Sequence, residues 1–225
     1  MQSHADKVHF AELALQVPDE YFGKIFANWR LAHEASNCMR EALASRKRVL
    51  KHTVTLSHNG FSSGKELWDA LYSISCTRNI VCLNFIEVKL PLHLLDVQLA
   101  HRVFENCPLL ENIQLKRNEL RGKRLLKMVF AMLSGCSSLT HLTIVKNQLR
   151  YDGSVAMAES LQHWPLLSEL CLCNNEISVK GMNALSKKLN NHSSLQEIEL
   201  SYNPMSGTAL EKLNQALSTC SKLRR

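Results

Sequence analysis

Residues 110–120 read LENIQLKRNEL, with Leu110, Ile113, Leu115, Asn118 and Leu120 as a frame of spaced apolar positions closed by an asparagine. The frame returns 29 residues later as Leu139, Leu142, Ile144, Asn147 and Leu149. It returns twice more at intervals of 28, as Leu167, Leu170, Leu172, Asn175, Ile177 and as Leu195, Ile198, Leu200, Asn203, Met205. Upstream it keeps phase with two departures. Ile80, Leu83, Phe85, Val88 and Leu90 carry valine at the asparagine position, and Lys51, Val54, Leu56, Asn59 and Phe61 carry lysine at the first leucine position. Six units in phase at 28 to 30 residues define an internal repeat, and a repeat constrains the fold before any single element does.

Within each frame the apolar residues alternate, the mark of a strand with one buried face. The intervals between frames carry a second pattern. Thirteen, ten and six residues before each new frame stand Leu67, Ala70, Ile74; Val97, Ala100, Phe104; Leu126, Val129, Leu133; Ser154, Met157, Leu161; Met182, Leu185, Leu189; and Leu210, Leu213, Leu217. Spacings of three, four and seven place such side chains on one stripe of a helix. Each unit is therefore strand, loop, helix, loop, and stacking of units buries stripes that no unit can bury alone.

Composition agrees. Leucine supplies 37 of 225 residues, whereas glycine and proline together supply 13, too few for a collagen-like, linker-like or hairpin-rich chain. No apolar run of 18 residues is present and residues 1–10 lack the apolar stretch of a secretory signal, so no membrane span or export is expected. The eight cysteines then read as reduced thiols in the cytosol, with the nucleus as the alternative.

On these residues the chain resembles leucine-rich-repeat proteins of the ribonuclease-inhibitor-like subclass, over about residues 50 to 225. Similar arrays occur in ribonuclease inhibitor, Ran GTPase-activating protein and the C-terminal repeats of NOD-like receptors. The resemblance implies a right-handed α/β solenoid, a horseshoe with a parallel sheet on its concave side and helices on its convex side. The expected organisation is a helical N-terminal cap over 1–48 and six repeats over 49–225. Leu223 falls at the first leucine of a further frame, so the expectation is either that the helix after Met205 closes the array or that the chain is a piece of a longer one, with self-association expected where that end is unprotected.

The resemblance also implies that Asn59, Asn118, Asn147, Asn175 and Asn203 form a structural ladder, each amide satisfying turn backbone of a neighbouring unit. Cys107, Cys136 and Cys220 stand three residues before a frame, a position shared with Trp164 and His192, and read as small hydrophobes in a packing column. Cys171 and Cys173 alternate with buried leucines and are expected on the concave surface. C-x-C alone is a weak metal signal, so no metal and no cofactor are expected.

No phosphate-binding loop, nucleophile elbow or metalloprotease motif occurs, and the ten histidines scatter. The expectation is a non-enzymatic scaffold that binds another protein through its concave face. The candidate contacts are Lys116, Arg117, His141, Lys146, Glu169, Glu197, Glu199 and Tyr202, basic at the centre and acidic toward the C-terminal end. The alternatives are a regulator of a GTPase or other enzyme, and a bacterial effector using this architecture in a host cell. Nucleic-acid binding is not expected: the basic clusters Arg46, Lys47, Arg48, Lys51 and Arg121, Lys123, Arg124, Lys127 lack interleaved aromatics and read as solvated helix surface.

Overall fold

The fold is described from a computed structural model over residues 52–57, 80–88, 101–102, 104–190 and 192–224. The expected cap over 1–48, Asn59 and the stripes at Leu67–Ile74 and Val97–Ala100 lie outside the described residues.

The alternating apolar frames form strands β1 His52–Ser57, β2 Ile80–Ile86, β3 Asn112–Lys116, β4 His141–Val145, β5 Glu169–Cys171 and β6 Glu197–Glu199. They pair in parallel and in chain order as one six-stranded sheet. Helices α1 Lys123–Leu133, α2 Arg150–Ser160, α3 Val179–Leu189 and α4 Gly207–Leu217 follow β3, β4, β5 and β6, and each packs on the next. The result is an α/β solenoid of the leucine-rich-repeat type. No described helix is long and apolar enough to cross a membrane.

The repeat period translates directly into register. Ile113 of β3 faces Leu142 of β4, and Leu142 faces Leu170 of β5, so each apolar position lies beside its equivalent in the next unit. These side chains meet Leu126, Val129, Leu133, Met157, Leu161, Met182, Leu185 and Leu189 from the helices in one continuous core. Each such leucine contributes about 1.5–3 kcal/mol by leaving water. Two stripe positions deviate. Ser154 is buried between α2 and α3, and opposite it a Cβ on Gly181 would stand 2.6 Å from the Ser154 hydroxyl, so the pair sets a close helix approach. Leu210, expected on the buried stripe, is 42% exposed, because among the described residues no further helix packs over that face of α4.

The asparagines supply the second repeating bond set, and all four described ones use both ends of the amide. The Asn147 Oδ1 accepts from the backbone N–H groups of Asn118 at 2.9 Å and Leu120 at 3.3 Å. Its Nδ2 donates to the carbonyls of Leu115 at 3.0 Å and Val145 at 3.2 Å. Asn175 accepts from Asn147 N–H and donates to Ile144 and Cys173. Asn203 accepts from Asn175 and Ile177 and donates to Leu172 and Leu200. Asn118 accepts from Val88 N–H and donates to Phe85, and there the side-chain run stops, since valine has no amide to pass on. The residue before each of these positions adopts the left-handed region: Glu87, Arg117, Lys146, Asn174 and Tyr202 have φ of 54° to 60°. Non-glycine residues held there cost about 1–2 kcal/mol each, offset by backbone bonds such as Arg117 N–H to Val145 and Asn174 N–H to Ser201.

Cys107, Cys136 and Cys220 are buried, and Trp164 in the same column is fully buried, donating its indole N–H to the Leu133 carbonyl at 3.0 Å. His192 is half-buried, and that desolvation lowers its pKa. Burial, with Cys107 adding to it, raises the Cys136 thiol well above the ordinary range.

Two outcomes follow. Asn147→Ala deletes four bonds and strands buried N–H groups, so chemical denaturation should show a loss of about 2–4 kcal/mol. Glu159→Ala on the exposed surface of α2 should stay within about 0.5 kcal/mol, and equal losses in the two variants would contradict a structural ladder. In native protein at pH 8, alkylation mapped by mass spectrometry should leave Cys136 unmodified, being both buried and protonated, while half-buried Cys171 reacts first of the two.

Candidate functional site

Side chains that alternate with the buried frame line the concave face, and the parallel register arranges them in rows across the sheet. One row runs Asn112, His141, Glu169, Glu197; the next runs Gln114, Thr143, Cys171, Glu199; Lys116 lies beside Val145 in a third. Together they line a groove of about 650 Å³. Seven of the eight candidate contacts border it: Lys116, Arg117, His141, Lys146, Glu169, Glu197 and Glu199. Tyr202 does not. It is 85% exposed in the turn after β6, at the offset that Arg117 and Lys146 occupy in their own units and with the same left-handed backbone.

The charges divide along the groove. Lys116 and Lys146 make no ion pair among the described residues, whereas Arg117 Nη1 contacts Glu87 Oε1 at 2.8 Å. Both partners of that pair are substantially exposed, so it contributes under about 1 kcal/mol and can open to a ligand. In the central row the His141 Nε2 lies 3.3 Å from Glu169 Oε1, and its Nδ1 lies 2.7 Å from the Thr140 hydroxyl, which donates to the Glu111 carbonyl. The imidazole is therefore held at both nitrogens. Beyond it Glu169 and Glu197 are in-register neighbours on strands about 4.8 Å apart. Like charges side by side oppose each other. The Asn112 Oδ1, beside His141 in register, is buried without a hydrogen-bond partner.

Cys171 and Cys173 depart from the expected surface pair. Cys171 is half-buried and lines the groove, but Cys173 is only 7% exposed. Cys173 keeps the phase, with its sulfur beside that of Cys171 and its carbonyl accepting from Lys146 N–H as the Val145 carbonyl accepts from Arg117, but it is covered there rather than open. Burial, then the neighbouring Glu199 carboxylate, pushes the Cys173 thiol up to about 12. The Cys171 thiol is also raised, chiefly by burial. The Cys171 Sγ lies 3.4 Å from Cys173 Sγ and 3.4 Å from Glu199 Oε2. This three-residue cluster is legible in hindsight, since Glu199 follows Cys171 by one 28-residue period.

Compared with known proteins, the sequence matches no protein-family model, and no curated protein matches it. Among solved structures it is similar to the tropomodulin C-terminal domain from Caenorhabditis elegans, at 12% identity and a TM-score of 0.47, over 82% of this chain and 92% of that one. It is also similar to an internalin from Listeria monocytogenes, at 14% identity and a TM-score of 0.25, over 83% of this chain and 68% of that one. The fold itself rests on the sheet, its register and the repeated bonds described above.

Proposed function

We propose that this chain is a non-enzymatic protein-interaction scaffold that holds a protein partner in the concave groove. The observation that carries the reading is the division of charge across one continuous groove, with Lys116 and Lys146 at one side and Glu169, Glu197 and Glu199 at the other. A partner segment of matching polarity would place acidic groups over the lysines and cationic groups over the glutamates. Such complementarity orients a partner and speeds its encounter more than it adds raw affinity. One feature of the free groove favours an occupant: a cationic group would relieve the Glu169–Glu197 repulsion.

Membership of the ribonuclease-inhibitor-like subclass belongs to the same proposal. It is supported by a full helix of 11 residues after each of β3, β4, β5 and β6. Placement in a reducing compartment, cytosol or nucleus, is supported by the six described cysteines, all free thiols.

The test is affinity capture from a lysate of the source cells with the wild-type chain and with Lys116→Glu/Lys146→Glu as baits. Proteins retained by the wild type should be lost from the variant. The Kd of a retained protein should weaken about tenfold on charge reversal, with a shallower salt dependence. Equal retention and equal Kd with a variant of unchanged circular dichroism would overturn the concave-face reading.

A further inference from the structure

The contact of Cys171, Cys173 and Glu199 has a geometry that neither thiol packing nor charge steering requires. Two independent features of the fold bring the three donors together. Cys171 and Glu199 are register partners on β5 and β6, so their side chains share a face of the sheet. Cys173 lies two residues beyond Cys171, just past the strand end, and turns its sulfur back against the same spot. The three ligand atoms all lie within 4.8 Å of one another, with the Cys171 sulfur 3.4 Å from each of the others.

A tetrahedral zinc ion binds thiolate at about 2.3 Å and carboxylate at about 2.0–2.2 Å, which separates neighbouring donors by roughly 3.5–3.8 Å. The Cys171 contacts thus fall within a few tenths of an ångström of the spacing such an ion imposes, and closing the third edge asks only for rotation of the exposed Glu199 side chain. Two sulfurs and one carboxylate form a donor set for zinc rather than for magnesium or calcium, which take oxygen ligands. Three protein ligands leave a fourth position, and Cys171 and Glu199 both line the groove, so that position opens toward it.

We propose that Cys171, Cys173 and Glu199 form a three-ligand zinc site at the acidic end of the concave groove, with its fourth position open. The ion binds the thiolates, so both thiol protons pass to solvent as it enters. The site stands independently of the protein-binding reading, since it needs no partner.

Cobalt(II) serves as the spectroscopic probe, added to the chelator-treated, reduced full chain and then displaced by zinc. The expected result is one cobalt per chain showing thiolate-to-metal charge-transfer absorption and the ligand-field bands of a tetrahedral ion, both lost on adding equimolar zinc. Cys171→Ser and Cys173→Ser should abolish the charge-transfer band, and Cys82→Ser should leave it intact. Glu199→Gln, an exposed change that spares the core, should weaken zinc binding in competition titration by about tenfold or more. A wild-type chain without charge-transfer absorption, or absorption that persists in all three ligand variants, would overturn the site.

Discussion

The interaction on which the rest of the structure depends is the bond set of the post-strand asparagines. At that point the chain leaves the sheet and turns toward the helix layer, exposing backbone groups that no ladder bond can reach. Each described asparagine resolves this across two units at once, accepting from turn N–H groups of the preceding unit while donating to a carbonyl near the end of that unit's strand. A buried amide with every bond made is worth keeping, whereas one left half-satisfied is costly. The repeat can therefore vary its helices, its loops and its surface more freely than this position, and where valine stands there, at Val88, the side-chain bonds to the preceding unit end.

From that frame the binding face follows. Turns fixed at a constant interval put equivalent strand residues side by side, so a side chain's place in the groove is set by its number within the repeat. His141, Glu169 and Glu197 form a row because each stands at the same offset in its unit. The same rule aligns Cys171 with Glu199 and thereby builds the cluster at the acidic end. The ladder, the charge division and the proposed zinc site are three readings of one periodicity.

Much of this was legible in the sequence, and where it was not the reasons are local. The strand residues and the helical stripes from Leu126 to Leu189 could be read because period and phase alone decide them. Tyr202 shares its offset and left-handed backbone with Arg117 and Lys146, yet it follows the last strand and stands 85% exposed outside the groove that those two border. Cys173 falls on the face its phase predicts, but it is buried beside Cys171, and a count of alternating positions does not register cover. Arg117 reads in the sequence as a basic contact, and its pairing with Glu87, 30 residues earlier, is visible only in the structure. Leu210 fits its stripe in sequence, but burial needs a neighbour as well as a pattern.

Residue-resolved amide hydrogen exchange measured by NMR on the native chain tests the asparagine frame most directly. The amides of Asn118, Leu120, Asn147, Asn175 and Ile177 donate to asparagine side chains rather than to a strand or helix. The account predicts that they exchange as slowly as the strand amides of Leu115 and Ile144, opening only when their units unfold. Exchange of these five amides at the rate of frayed helix ends would show that the side-chain bonds do not persist in solution, and would contradict the account.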